Sequence, residues 1–226
     1  AEFLLSATPS IPAPFGLTLN VGATRRDNRF QMGTDSTTDL IVPGVYTMGN
    51  SEVRPLFNNY EYKKRVNSVL GSAQASFRDY LFVEVTGRND WSSTLPTQNN
   101  SYFYPSISTS FVFTDAFPTL PGASFLTYGK LRGGWARVGA DADPYQLYGV
   151  YVAATPFGSI PRYQAPDTIR NANLKPEETS AWEIGTELAF FDSRVGLDLT
   201  YYNKSTRDQI LPVQISPTTG FTHQVL

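Results

Sequence analysis

Glu183 and Glu187 stand four residues apart in AWEIGTEL, and if that segment is a strand both project from one face. Paired carboxylates are the equipment of glycosidases, one protonating the leaving oxygen while the other attacks or activates water. At strand rise, however, the two α-carbons fall about 13 Å apart, outside the roughly 5–10 Å that such pairs keep. Asp141 and Asp143 in GADADP share the two-residue spacing of some calcium loops, but no third carboxylate follows at the required distance, so solvation of a loop is the simpler role. Asp90, Ser92 and Ser93 in RNDWSS have no histidine near them to activate a hydroxyl, which leaves turn and capping roles. The sequence has no cysteine and a single histidine, His223, so disulfides, thiolate metal sites and a cysteine nucleophile are excluded. No catalytic residue, metal site or cofactor is expected, and the chain is not read as an enzyme.

The bulk composition narrows the partners. At 41% hydrophobic and 14% aromatic the chain is too apolar for disorder, and its glycines and prolines divide it into short elements. With 18 Lys and Arg against 20 Asp and Glu, it carries no basic block to track phosphates, which argues against nucleic acid. No run approaches the eighteen apolar residues of a membrane-crossing helix, and residues 1–14 lack the basic start of a secretory leader. A membrane, if met, is met by strands. The missing leader and initiator Met are what a mature or internal segment would have.

The elements that must position any charged residue alternate with period two in segments of about ten residues, the length a tilted strand needs to cross a bilayer. In 15–24, Phe15, Leu17, Leu19, Val21 and Ala23 oppose Gly16, Thr18, Asn20, Gly22 and Thr24. The same split recurs in 68–77, 81–88, 106–113, 130–138, 181–191 and 195–201. Glu84, Arg88, Lys130, Arg132, Glu183, Glu187 and Asp198 all fall on the polar side of their segments, where they would offset one another in a hydrated barrel lumen. On the clearest segment, 181–191, Trp182, Ile184, Leu188 and Phe190 are expected toward lipid.

The links alternate in length as in bacterial barrels, which have short periplasmic turns and long extracellular loops. Taking 78–80 and 192–194 as periplasmic makes 25–65, 89–101 and 139–180 extracellular, and only 114–125 is long for its side. Aromatic groups at Tyr102, Phe103 and Tyr104, at Phe190 and Phe191, and at Tyr201 and Tyr202 sit near segment ends, where rings would anchor in the interface. The expected fold is therefore all-β, an antiparallel transmembrane β-barrel segment of about eight strands. By pattern alone, a closed eight-stranded barrel or a soluble β-sandwich acting as an adhesin or binding module remains an alternative.

Four phrases carry a resemblance. RNDWSSTLP at 88–96 with SYFYPSIS at 101–108, KLRGGWARVG at 130–139, NLKPEETSAWEIGTELAFF at 173–191 and LTYYNKSTRDQI at 199–210 resemble, in order, the barrel strands and loops of SusC/RagA-type TonB-dependent transporters of Bacteroidota. The resemblance is weakest in 1–14 and 25–65. It implies a barrel of about 22 strands, of which residues 1–226 would supply roughly a third, with the plug domain and N-terminal extension outside this sequence. It also implies an outer-membrane location as a multi-pass barrel and import of oligosaccharides or peptides. The implied partners are a SusD-like surface lipoprotein, outer-membrane lipid and, through parts not in this chain, the TonB complex.

Overall fold

In the computed structural model, residues 1–119 and 125–226 are described. Thirteen strands occur among them in chain order. β1 (Glu2–Ala7), β2 (Phe15–Ser36), β3 (Leu56–Phe77), β4 (Leu81–Ser92), β5 (Ser101–Val112) and β6 (Leu126–Ala140) are followed by the short β7 (Val152–Phe157), β8 (Ile160–Gln164) and β9 (Thr168–Ile169). β10 (Glu177–Phe190) and β11 (Val195–Arg207) complete the wall, and β12 (Pro212–Gln214) and β13 (His223–Val225) close the list. One helical turn, α1 (Phe113–Ala116), lies in the link after β5. Residues 120–124, within the link expected to be long for its side, lie outside the described residues.

The principal sheet has eight strands in the order β1-β2-β3-β4-β5-β6-β10-β11, every neighbouring pair antiparallel. Among the described residues β1 and β11 do not pair with each other, so the sheet is open at both edges and the closed eight-stranded alternative is set aside. Three strands exceed the sequence expectation. β1 falls in 1–14, where no strand is expected from sequence, and β2 and β3 run on through most of 25–65, leaving only 37–55 as their connection. Thr34, Asp35 and Ser36 lack the apolar alternation of a half-buried strand, but the 22 consecutive backbone pairs from Phe15↔Phe77 to Ser36↔Leu56 hold them extended.

The turns are chemically specific. Arg78 and Asp79 between β3 and β4 have φ of 48° and 56°, and Phe191, Asp192 and Ser193 between β10 and β11 have φ of 53–63°. Two successive left-handed residues match the right-handed twist of the flanking strands, and Asp tolerates that region better than most residues. Both sequence-expected tight links are thus real and lie at one end of the wall.

At the other end the long segments fold together. β12 pairs antiparallel with β13, which pairs parallel with β9, and β7 and β8 form a hairpin. Leu95, Ala142, Leu174 and Val225 are buried as a small core, with Tyr102, Leu147 and Ile210 packed on it. Asn99 Nδ2 donates to the carbonyls of Asn173 and Leu174 at 3.2 and 3.1 Å, tying the β4–β5 loop to the segment before β10.

Candidate functional site

Because the register is unbroken over most of the wall, directly opposed residues share a face and whole rows can be read across it. One row runs Leu19, Ala73, Val85, Ile107, Trp135, Trp182, and another Leu17, Ala75, Val83, Thr109, Gly133, Ile184, Tyr201. Neither row contains an Asp, Glu, Lys or Arg. Leu19, Val21, Val69, Val85, Ile107, Leu131, Trp135, Trp182, Ile184, Leu197 and Leu199 stand exposed, so these rows form a broad apolar sheet with none of the described residues packed upon it. Its turn-end margin is a chain of rings. Phe15–Phe77, Phe77–Tyr80, Tyr80–Phe111 and Phe111–Phe117 have centroids 5.0–6.2 Å apart, and Phe125 stacks on Phe190 at 6.0 Å.

The opposite face is mostly polar, interrupted by Leu70, Phe82, Ala136 and Ala181. Its central row is Ser6, Asn20, Ser72, Thr86, Ser106, Ala136, Ala181, Lys204. Ser6 Oγ donates to Asn20 Oδ1 at 2.7 Å, Asn20 Nδ2 donates to Ser72 Oγ at 3.0 Å, and the Thr86 and Ser106 hydroxyls meet at 2.6 Å. All seven charged residues singled out from the sequence lie on this face. Glu84 and Glu183 share the row Thr18, Gln74, Glu84, Ser108, Gly134, Glu183, Tyr202, and Lys130, Glu187 and Asp198 are mutually opposed two rows further toward the turns.

The ionic geometry pairs most of them. Lys130 Nζ lies 3.1 Å from Glu187 Oε2. Arg132 reaches across β10 with its guanidinium fork to Asp198, at 2.7 and 3.2 Å, and its Nη2 donates to Thr200 Oγ1 at 2.6 Å. The passage exists because the residue between them is Gly185, where a Cβ would sit 2.6 Å from Arg132 Nε. Arg88 Nε pairs with Asp90 Oδ1 at 2.7 Å, its Nη2 donates to Ser68 Oγ at 2.8 Å, and the Tyr104 hydroxyl donates to Asp90 Oδ2 at 2.7 Å. Glu84 and Glu183 have no ion-pair partner among the described residues. Beside Glu183, the small residues Ser106, Gly134, Ala136 and Ala181 floor an open depression of about 390 Å³, flanked by Tyr202 and Lys204.

Several polar residues have roles the sequence did not suggest. Asp90 and Ser92, expected in turn and capping roles, are buried inside β4 and at its end, where Asp90 completes the Arg88 network. Asp141, expected as a solvated loop residue, is nearly buried. It takes Lys64 Nζ at 2.5 Å and accepts a hydrogen bond from Ser92 Oγ. Tyr102, Tyr104 and Tyr202, expected as interface anchors, lie on the polar face, and only Phe103 and Tyr201 of those clusters share the apolar one. Parity was the available signal, since Tyr102 and Tyr104 keep the even numbering of Ser106 and Ser108. Near Asp141, Asp143, Gln146, Thr168, Arg170 and Glu177 line a polar cavity of about 400 Å³ among the long loops. Among the described residues, no group of His, Cys, Asp and Glu is arranged to hold a metal.

The β2–β3 hairpin continues past the apolar rows of the wall as a ribbon charged on one side and aromatic on the other, where Phe30 stacks on Tyr62 at 5.3 Å. Asp27 accepts from Arg65 and Arg25, which hold its carboxyl below the usual aspartate range, and Lys63, Gln31 and Arg29 do the same for Glu61.

A wall apolar and ring-bordered on one face, ion-paired and hydroxyl-rich on the other, with short turns at one end and folded loops at the other, is the wall of a large β-barrel of the outer-membrane type. The chain belongs to the TonB dependent receptor-like, beta-barrel family, whose family model matches residues 5–225. TonB-dependent receptor P26 of Formosa agariphila is 32% identical over 172 residues, covering 71% of this chain and 16% of that protein. TonB-dependent receptor SusC of Bacteroides thetaiotaomicron is 26% identical over 173 residues, covering 74% and 17%. In fold, the RagAB peptide importer in its closed-closed state matches with a TM-score of 0.86 at 17% identity, over 99% of this chain and 25% of that chain. The siderophore receptor PirA of Acinetobacter baumannii matches at 0.56 and 19% identity, over 93% and 27%. The chain thus spans about a sixth of the length of the curated relatives it matches.

Proposed function

We propose that the chain is part of the barrel wall of a TonB-powered nutrient importer in the outer membrane, crossing it repeatedly as β-strands. The polar face, with Glu84, Arg88, Lys130, Arg132, Glu183, Glu187 and Asp198, lines the lumen, and the apolar face meets lipid. The observation that carries this reading is the segregation of charge: every one of these seven residues shares a face, while the apolar rows of the other face hold none and its charges, from Arg25, Arg137 and Glu178 onward, lie beyond those rows at the long-loop end. In hydrocarbon an unpaired strand edge is too costly to leave bare, so β1 and β11 each pair with further strands of the same barrel.

The long-loop end is the extracellular mouth. Its polar cavity near Asp143, Arg170 and Glu177 supplies hydrogen-bonding groups of both signs, suited to oligosaccharides or peptides delivered by a SusD-like surface lipoprotein. The wall itself contributes scaffold and lumen, and the TonB complex is engaged through other parts of the protein.

The test uses the full-length protein in its host. It should fractionate with the outer membrane and require detergent for extraction, copurify with a surface lipoprotein, and support growth on an oligosaccharide or peptide source only when TonB is intact. Extraction without detergent, or growth unchanged by loss of both the protein and TonB, would overturn the reading.

A further inference from the structure

The β2–β3 hairpin reverses the polarity of the wall it grows from. Its strands pair without a bulge as far as Ser36 and Leu56, so side-chain parity holds along its whole length. Phe30, opposite Tyr62, and Met32, opposite Tyr60, therefore lie on the side of Asn20 and Ser72, the polar face of the wall. Arg29, Glu61 and Lys63 lie on the side of Leu19 and Ala73. Phe30 stands seven residues beyond Ala23, about 24 Å further along the strand and clear of the apolar rows. Rings that anchor a barrel in the membrane interface point outward to lipid, and these point the other way.

The rings form one exposed cluster on a braced support. Phe30 and Tyr62 are nearly parallel, 19° apart with centroids at 5.3 Å, and Tyr60 meets both at steep angles, at 6.4 and 6.1 Å. β1 stops opposite Thr24 and β4 opposite Val66, so beyond them the hairpin has only two strands, a unit that is marginal by itself in water. Cross-strand pairs on its reverse side, Arg29 with Glu61 at 2.8 Å and Arg65 with Asp27 at 2.5 Å, fasten it. Phe30, Met32 and Tyr60 remain 41%, 49% and 46% exposed. From Asn28 to Thr34 and from Leu56 to Tyr62 the aromatic side bears no charged side chain. The exposed amides of Asn28 and Asn58 and the hydroxyls of Tyr60 and Tyr62 set donors and acceptors beside the rings.

We propose that the aromatic side of this hairpin is a binding site for a neutral oligosaccharide above the lumen, which rests on the importer reading and on its orientation. A pyranose presents C–H groups on its face and hydroxyls around its rim. The C–H face fits the electron-rich surface of an aromatic ring, and neighbouring hydroxyls fit an amide, which donates and accepts side by side. A peptide would bring ionised ends, and a side without charge offers them no partner. The rings and amides therefore hold sugar units at the mouth, while the charged reverse side keeps the hairpin upright in water.

The test presents the full-length receptor to an array of neutral gluco-, galacto-, manno- and xylo-oligosaccharides and to a matched array of short peptides. Wild type should bind at least one oligosaccharide. Phe30→Ala and Tyr60→Ala should each weaken that binding about tenfold, and Tyr60→Phe, which keeps the ring and loses the hydroxyl, about twofold. Phe57→Ala removes an exposed ring from the reverse side and should leave binding unchanged. In intact cells an impermeant maleimide should label Thr34→Cys, on the aromatic side near the hairpin's end. If Thr34→Cys is labelled and both alanine variants bind as wild type does, or wild type binds no oligosaccharide whether or not it binds peptides, the proposal is overturned while the importer reading stands. If Thr34→Cys escapes labelling, the orientation and the proposal fall together.

Discussion

Lys64 Nζ lies 2.5 Å from Asp141 Oδ1, joining the β3 extension to the loop after β6 across 77 residues of sequence, with both side chains largely withdrawn from solvent. The other carboxylate oxygen accepts from Ser92, whose hydroxyl also meets Thr94 at 2.9 Å. Removing Asp141 leaves a partly buried ammonium and hydroxyl without their acceptor. Asp141→Ala is expected to loosen the loop end by on the order of 2–3 kcal/mol. Amide exchange measured on the full-length protein should quicken in 93–100 and 141–147 and stay unchanged at the turns near Asp79 and Asp192.

The two faces make opposite demands at neighbouring positions. Leu188 sits on the apolar face and Glu187, one residue earlier, on the polar one, opposite Lys130 and Asp198. Leu188→Arg should destabilise the bilayer-inserted barrel by about 2–4 kcal/mol, and Glu187→Arg by much less, because a lumen charge stays hydrated. Unfolding titrations in lipid vesicles decide the matter: equal losses, or a larger one at Glu187, would reverse the assignment of faces.

Gly185 keeps open the path by which Arg132 crosses β10. A valine there would displace the guanidinium from Asp198 and Thr200. Since the pair is partly solvated, the lost contact is worth about 1 kcal/mol or less, and its signature is coupling more than magnitude. Gly185→Val and Asp198→Asn should therefore be sub-additive, the double variant being scarcely less stable than Gly185→Val alone. Full additivity would show that Arg132 does not depend on that passage.

Acid should unfasten the β2–β3 ribbon above the apolar rows. Asp27 titrates below its usual value because Arg65, then Arg25, donate to its ionised form. A lowered folded-state pKa means that the ordering is fully present above the ordinary aspartate value of 3.8 and is lost as pH falls through the lower, folded-state one. Carbon NMR of the Asp27 carboxyl should show that depressed titration, and Arg65→Gln should raise it toward 3.8. A titration unmoved by that substitution would refute the cause.

Orientation is open to direct labelling. Ser159 lies at the exposed tip of the β7–β8 hairpin and Asp192 in the turn between β10 and β11. In intact cells an impermeant maleimide should reach cysteine at position 159 and not at position 192. Labelling at 192 alone would invert the wall.

Much of this was legible in the residues alone, because alternation is a local property. Leu17, Leu19 and Val21 against Thr18 and Asn20 state a two-sided strand without any partner, and the seven charged residues inherit their common face from parity once the strands are paired in register. Tight links announce themselves likewise, since Asp79 and Asp192, a residue type that tolerates positive φ, interrupt the alternation. What parity could not supply was contact. That Arg132 would choose Asp198 over the nearer strand's Glu187, that Asp141 would be buried beneath Lys64 and Ser92, and that Tyr104 would close on Asp90 depend on strands and loops brought together from 14 to 77 residues apart. The β2–β3 ribbon lengthens for the same reason: although Phe30, Met32, Tyr60 and Tyr62 share one side of it, its last residues, Thr34, Asp35 and Ser36, have no apolar face to declare them strand, and only the backbone ladder to Asn58, Phe57 and Leu56 holds them so. Side-chain period is written residue by residue, whereas a hydrogen bond or ion pair requires a second segment whose position only the assembled sheet sets.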